Sequence, residues 1–257
     1  MHYISTRGHT ENKSFTDVLL AGLAPDGGLY VPSQWPAYSK DFLSTLQTKR
    51  YADIVKDIIK PYIGDTIDET ALSAIIEDTY SAHTFTHNAV APLVQIDTNF
   101  WVMELFHGPT LSFKDYALQL VGRLFDHVLK QQNKHITIVG ATSGDTGSAA
   151  IEACKGCDNI DIYILHPHGR TSDIQRKQMT TVDAPNVHNI ALEGSFDDCQ
   201  AFVKNLFADK PARETLNLSA VNSINWARIM AQTVYYITSA VSIGAPQRRT
   251  SFAVPTG

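Results

Sequence analysis

A segment rich in glycine and hydroxyl residues, GATSGDTG at 140–147, has the composition of an anion-binding loop. It follows a β-branched run at 136–139 and precedes a helix predicted to begin near Thr146. Its glycines let the backbone approach a ligand, and the first N–H groups of a helix favour a negative group. The segment is neither a P-loop nor a G-x-G-x-x-G fingerprint. It predicts a carboxylate or phosphate site; the alternative is a polar turn with Asp145 or Thr146 as N-cap.

Lys114 lies in a second segment that could carry chemistry. Ser112 and Asp115 have the spacing of an N-cap and the third helical residue, which predicts a helix to about residue 132 with Lys114 in its first turn. A cation is unfavourable at the positive end of a helix dipole, and locally unfavourable residues are expected at functional sites. Positive potential and desolvation would favour a neutral amine, which is the nucleophile that forms imines. The alternative is a solvated lysine that merely begins a helix.

Cys154 and Cys157 form a C-x-x-C pair in a chain with three cysteines. A zinc site could recruit His166 and His168, but H-x-H so soon after the pair is not a common finger spacing. A redox pair of the thioredoxin type begins a helix, whereas this pair follows a helical run and encloses Gly156, a residue typical of helix ends. The pattern favours packed cysteines and no metal.

Composition and charge exclude several classes of protein. The chain has 257 residues, 44% hydrophobic and 18% charged, which indicates a folded globule rather than a disordered chain. No apolar stretch approaches the roughly 20 residues of a membrane-spanning helix. A net charge of −5 argues against nucleic acid as a partner. The N-terminus lacks the apolar run of a secretory signal, so we expect a cytoplasmic protein.

The first region of the chain, residues 1–88, is predicted to be mainly helical. Ser14 and Asp17 have the spacing of a capping box. Longer helical patterns follow over residues 41–59 and 66–80.

The second region, residues 89–257, alternates between strand and helix. β-rich runs at 136–139, 160–165 and 187–192 are each followed by a helical pattern. This alternation predicts an α/β fold, a parallel sheet with helices on both faces, behind the helical N-terminal region. Residues 134–225 are predicted to form a small three-layer subdomain. Since ligands of such sheets bind at the carboxyl ends of the strands, the glycine-rich loop is expected at the site.

Both chemical segments resemble motifs of one superfamily. HGPTLSFKD at 107–115 resembles the pyridoxal-phosphate lysine motif of the serine/threonine dehydratases and threonine synthases, and TSGDTG at 142–147 resembles their substrate-carboxylate loop. YISTRG at 3–8 and GLAPDGGLYVP at 22–32 resemble the threonine synthase family specifically, because simple dehydratases do not begin this way. Two later segments also resemble threonine synthase segments: EGSFDD at 193–198 and VNSINWARI at 221–229. The resemblance covers essentially the whole chain.

The resemblance implies a fold of the tryptophan synthase β type (fold type II), incomplete here, and roles for single residues. Lys114 would hold pyridoxal 5′-phosphate covalently and, once released, move protons at substrate carbons. Phe113 would lie against the pyridine ring; core packing is the alternative. His107 could help to position the leaving phosphate, although packing in a turn is the safer interpretation.

The other implied roles form two sets. The substrate carboxylate would be held by Thr142, Ser143, Gly144, Asp145 and Thr146. In the segment at 222–228, Asn222 and Asn225 would contact the cofactor, and Ser223 and Arg228 would contact the substrate. The alternative for this second set is a satisfied polar strand end with Arg228 on a helix surface.

The activity implied by the resemblance is that of a lyase of threonine biosynthesis. It converts O-phospho-L-homoserine and water to L-threonine and phosphate with pyridoxal phosphate. One alternative is a serine/threonine dehydratase that uses the same lysine. The second alternative is a non-catalytic interaction module related to the family.

One departure from the family lies at the C-terminal end. Residues 251–257, SFAVPTG, have the pattern of an apolar strand, and family members continue from it into an asparagine- and glycine-rich loop around the cofactor phosphate. We therefore expect a C-terminally truncated, inactive portion that binds pyridoxal phosphate weakly or not at all. An incomplete sheet with an unpaired edge could also lead to self-association.

Overall fold

The computed structural model describes residues 1–8, 11–219 and 225–255. Two short antiparallel strands, β1 (Tyr3–Ser5) and β2 (Tyr30–Pro32), enclose helix α1 (Phe15–Ala21). The predicted capping box is confirmed, because the Asp17 N–H donates to the Ser14 hydroxyl and the Ser14 N–H donates to the Asp17 carboxylate. Two otherwise unpaired donors are thereby satisfied where α1 begins.

The next helices are α2 (Lys40–Thr45), α3 (Tyr51–Ile63) and α4 (Glu69–Thr79), with a 3₁₀ turn at Leu46–Thr48. The prediction of one helix over 41–59 is therefore wrong. The buried residues of α3 recur at helical spacing from Tyr51 onward, whereas α2 has no buried residue, so packing supports a long helix only after the break. Lys49 and Arg50 are extended at that break.

A hairpin that the sequence analysis did not identify follows this region. Strands β3 (Leu93–Asp97) and β4 (Phe100–Met103) pair in antiparallel register. Several of its large apolar side chains are exposed: Val94, Ile96, Phe100 and Val102. The hairpin therefore lacks the usual pattern of an antiparallel pair, in which apolar side chains face the core and polar side chains face water.

A four-stranded parallel sheet forms the second half of the chain. In spatial order its strands are β7 (Val187–Leu192), β6 (Ile160–Pro167), β5 (Ile136–Ala141) and β8 (Leu218–Ser219). Five helices accompany it: α5 (Asp115–Gln132), α6 (Asp145–Cys154), α7 (Asp173–Thr180), α8 (Phe196–Ala208) and α9 (Lys210–Thr215). The predicted alternation of strands and helices is confirmed.

Helices cover both faces of this sheet, as predicted. Val139 and Leu165 pack with Cys199 of α8 on one face. On the other face, Ile138 and Ile162 belong to the main core, which also contains apolar residues of α5 and α6. The fold class is thus α/β with a parallel sheet between helical layers.

Helices α5 and α6 cross at backbone contact. Gly122 of α5 lies so close to the Ala153 carbonyl group of α6 that a Cβ atom at position 122 would overlap it. Since both helices begin at the carboxyl edge of the sheet, this crossing fixes their first residues relative to each other.

The last helix, α10 (Trp226–Ser242), ties the N-terminal region to the sheet region by packing against α3 and α5. The Trp226 ring is buried, and its centroid lies 6.1 Å from that of Tyr3 and 5.6 Å from that of Tyr62. The Tyr3 hydroxyl donates to the Tyr62 carbonyl at 2.6 Å. The two parts therefore share one aromatic cluster.

Residues 251–255 differ from the strand predicted over 251–257, whose last two residues lie outside the described part of the chain. Residues 251–255 are irregular, and no strand of the described residues pairs with them. Phe252 instead packs against Tyr236 of α10, with ring centroids 5.0 Å apart. No helix within the described part of the chain is long and apolar enough to cross a bilayer.

We expect Gly122→Ala to destabilise the chain by about 1–3 kcal/mol, because overpacking at the crossing outweighs the gain in helix propensity. Lys130→Ala, an exposed change on the same helix, should alter stability by no more than about 0.5 kcal/mol. Urea unfolding followed by tryptophan fluorescence measures both. Equal midpoints for Gly122→Ala and the unmodified chain would contradict the tight crossing.

Candidate active site

Lys114 occupies the N-cap position of α5 rather than its first turn, because the helix begins two residues later than predicted. The predicted cap, Ser112, accepts only a long hydrogen bond, 3.4 Å, from the Lys114 N–H. The Asp115 carboxylate turns back instead and accepts from the N–H and hydroxyl of Thr110, at 2.8 and 2.7 Å. Burial raises the pKa of Asp115, and these hydrogen bonds oppose that shift. The segment before the helix is thus held by Asp115.

Thr142 organises the glycine-rich loop from inside. Its buried hydroxyl accepts from the N–H groups of Gly144 at 3.0 Å and Gly147 at 2.9 Å. The N-cap of α6 is Gly144, with a φ of +152° that glycine tolerates, so the alternative with Asp145 or Thr146 as N-cap is wrong. A Cβ atom at Gly147 would lie 2.5 Å from the Thr142 methyl carbon. The Thr142 hydroxyl therefore holds the loop together, and its contact with the substrate carboxylate stays a prediction.

The two chemical segments meet at one pair of side chains. The Lys114 Nζ lies 3.4 Å from the Asp145 Oδ2. It also lies 4.7 Å from the centroid of the Phe113 ring, which is 41% exposed and so is not packed in the core. Ser143 is exposed and Thr146 half-buried beside them. The arrangement gives an amine, an aromatic face and the first N–H groups of a helix at one edge of the sheet.

Helix α7 supplies two side chains that the sequence analysis missed. The Gln175 Nε2 donates to the Asp145 Oδ1 at 2.6 Å. The Gln178 Nε2 donates to the Thr110 carbonyl at 3.0 Å. The composition of α7 could have indicated them, because the helix carries two glutamines one turn apart and follows the end of a strand. Its one buried residue is Met179. A polar helix in that position is expected to meet a site rather than a core.

Of the second set of predicted ligands, the structure describes Asn225 and Arg228. Asn222 and Ser223 lie outside the described residues. Asn225 is the N-cap of α10; its side chain accepts from the Ala227 N–H at 2.9 Å and donates to the Leu19 carbonyl at 3.0 Å.

Arg228 lies in the core rather than on a helix surface. It lines a cavity of about 20 Å³ with Leu118, Val121 and Gly122 of α5. Its Nε and Nη1 have no hydrogen-bond partner among residues 1–8, 11–219 and 225–255, and burial lowers its pKa. The surface alternative for Arg228 is wrong, and its ligand role stays a prediction.

The other polar candidates have structural partners. The His107 Nε2 lies 2.8 Å from the Glu104 Oε2, and its ring lies 5.0 Å from that of His87. Cys154 is buried and Cys157 half-buried, both as free thiols. No group of three or more metal-ligating side chains occurs in the part of the chain that the structure describes.

Comparisons with known proteins identify the family of the chain. A family model described as threonine synthase N terminus matches residues 2–80, and one described as pyridoxal-phosphate dependent enzyme matches residues 84–257. The chain therefore belongs to the family of pyridoxal-phosphate dependent enzymes, and its likeness within that family is to threonine synthases along its whole length.

The threonine synthase of Pseudomonas aeruginosa is 54% identical over 257 residues, 100% of this chain and 54% of that protein. That of Schizosaccharomyces pombe is 43% identical, over 99% of this chain and 51% of that protein. The crystal structure of threonine synthase from Brucella melitensis with bound pyridoxal phosphate superposes with a TM-score of 0.97 at 52% identity, over 100% of this chain and 55% of that one. The chain thus spans about half the length of the curated relatives it matches.

We expect Thr142→Val to destabilise the chain by about 1–3 kcal/mol, since it leaves two buried N–H groups without an acceptor. Thr142→Ser keeps the hydroxyl and should recover most of that loss. Ser143→Ala, an exposed neighbour, serves as the control and should have little effect. Urea unfolding measures the three variants, and equal losses for valine and serine would show that the hydroxyl does not hold the loop.

We expect Cys157 to be an unreactive thiol in the folded chain. Burial raises its pKa to about 12, so at pH 8 only about one molecule in ten thousand carries the thiolate. Iodoacetamide at pH 8 should label Cys157 far more slowly in the native chain than in urea, as read by mass spectrometry. Similar rates in the two states would revive the redox interpretation.

Proposed function

We propose that this chain supplies the lysine and the carboxylate-binding loop of a threonine synthase. The proposed reaction is the conversion of O-phospho-L-homoserine and water to L-threonine and phosphate. The observation that carries the proposal is the convergence of Lys114 and Asp145, 3.4 Å apart, from two segments 31 residues apart in sequence. The family match and the threonine synthase relatives support it.

The residues present fit pyridoxal phosphate. Lys114 offers a primary amine whose side chain is 17% exposed, open enough to react yet largely shielded from water. Phe113 offers an exposed aromatic face beside that amine. When bound, pyridoxal phosphate supplies an electron sink that stabilises negative charge developing at substrate carbons.

In the proposed mechanism, the chain's own residues bind the cofactor and substrate and move protons at the substrate carbons. Lys114 would hold the cofactor through its Nζ, and the same amine, when free, would remove the proton from the substrate Cα. The same amine then returns protons at carbons further along the substrate. One flexible group can serve successive carbons because its stem reaches from the fixed start of α5.

The loop at 142–147 binds the substrate carboxylate in this proposal. The first N–H groups of α6 have no carbonyl partner within the helix and point out of its N-terminus, where the helix dipole favours a negative charge. The Ser143 hydroxyl is exposed beside them. Thr142 contributes by fixing the loop, since its own hydroxyl already accepts two backbone N–H groups.

Labelling with pyridoxal phosphate and borohydride tests the lysine. The chain is compared with a version extended by the corresponding second half of the Pseudomonas aeruginosa relative, and modified lysines are mapped by mass spectrometry. We expect label on Lys114 in the extended form and little in the 257-residue chain. Lys114→Ala should abolish this label, while Lys130→Ala, at the exposed end of the same helix, should leave it unchanged.

Other labelling outcomes bear on different parts of the proposal. Selective label on Lys114 in the short chain too would contradict the expected weak binding but support the lysine. Label scattered over surface lysines in both forms would reject Lys114 and favour the interaction module.

Product analysis of the extended form distinguishes a threonine synthase from a dehydratase. Phosphate release from O-phospho-L-homoserine is expected, whereas ammonia release from threonine would contradict the proposal. Self-association stays a prediction, to be checked by sedimentation.

A further inference from the structure

We propose that Gln175 is a positioning residue that holds the Asp145 carboxylate in the orientation facing Lys114. The proposal deepens the function above, since it concerns the same site. It starts from one contact: the Gln175 Nε2 donates to the Asp145 Oδ1 at 2.6 Å, while the Asp145 Oδ2 faces the Lys114 Nζ.

The orientation of the Gln175 amide is fixed by its partners. An ionised carboxylate only accepts hydrogen bonds, so the NH₂ group of the amide must face Asp145. The amide oxygen then accepts from the Ser172 hydroxyl at 2.8 Å. That hydroxyl also accepts from the Gln175 N–H at 3.3 Å as the N-cap of α7, so one serine orders both the helix start and the glutamine.

Gln175 also packs against the glycine-rich loop. A Cβ atom at Gly144 would collide with the Gln175 carboxamide, so this side chain covers the loop where its backbone is most unusual. One turn further along α7, the Gln178 Nε2 donates to the Thr110 carbonyl. Helix α7 therefore connects the loop that carries Asp145 to the segment that precedes Lys114.

Asp145 needs such a partner because its side chain is half-exposed, at 48%. A separation of 3.4 Å from the lysine is long for an ion pair, and exposed pairs of this kind contribute little by themselves. A free carboxylate at this place would rotate into water. The contact with Gln175 keeps it in the site, where its charge acts on Lys114.

The test measures the reactivity of Lys114 in the full 257-residue chain with acetic anhydride at limiting concentration. Acetylation of Lys114 is read by mass spectrometry relative to Lys130, an exposed lysine on the same helix. We expect Asp145→Asn to raise the Lys114 rate about two- to fivefold at pH 7.5, because the amine is then no longer held against a carboxylate. Gln175→Leu should raise it as much, and the double variant no further. Gln200→Leu on α8 is the control.

Each result decides the proposal. An unchanged rate in Gln175→Leu, with a raised rate in Asp145→Asn, would overturn it, and so would additive effects in the double variant. Unchanged rates in both would show that the contact does not act on the lysine in solution. The reagent is not pyridoxal phosphate, so these outcomes are independent of whether the chain binds the cofactor.

A second comparison tests the contact through stability and guards against misfolding. Gln175→Glu should lower the Tm because it sets two carboxylates against each other. Adding Asp145→Asn should restore the Tm, since the new amide can donate to the new carboxylate. Failure of the second change to restore the Tm would overturn the direct contact.

Discussion

The close crossing of α5 and α6 is the constraint on which the rest of the site depends. Lys114 is the N-cap of α5 and Asp145 is the first residue of α6, so the placement of the two helices determines how far apart their side chains lie. At Gly122 the helices touch through backbone atoms, and neither can shift toward the other. The half-exposed ion pair is worth no more than about 1 kcal/mol. The packing of α5 against α6 therefore brings Lys114 and Asp145 together, and the ion pair does not position the helices.

Helix α10 plays the corresponding role for the N-terminal region. The Asn225 side chain caps the helix and donates to the Leu19 carbonyl, while Trp226 fills the aromatic cluster with Tyr3 and Tyr62. These contacts explain why the residues that resemble threonine synthase at 3–8 and those at 225–229 belong to one structure although they are far apart in sequence. They also show that Asn225 caps α10 and contacts α1. Its contact with the cofactor stays a prediction.

The sequence predicted best what depends on local pattern. The capping box at Ser14, the strand at 187–192 and the end of α5 at 132 agree with the structure because each follows from spacing within a few residues. Three predictions failed where packing or a side-chain contact outside the pattern decided the outcome. Asp115 pairs backward with Thr110, and Ser112 does not cap the helix. Packing supports α3 but not α2, so the helix predicted over 41–59 is interrupted, and no strand among the described residues pairs with the segment at 251–255. Likewise, the contact of Gln175 with Asp145 spans 30 residues, which spacing cannot reveal.

The charge of Asp145 is the remaining physical problem of the site. A loop proposed to bind a carboxylate carries a carboxylate of its own, and both favour the positive end of α6. They can coexist if the resident carboxylate is directed toward partners that compensate its charge. Lys114 faces it in this structure, and under the proposed function a cofactor held on that amine would change this contact. The hydrogen bond from Gln175 does not depend on that change, because the amide is neutral and its orientation is fixed by Ser172. A neutral donor on α7 is therefore suited to hold Asp145 in one orientation while the lysine changes its state.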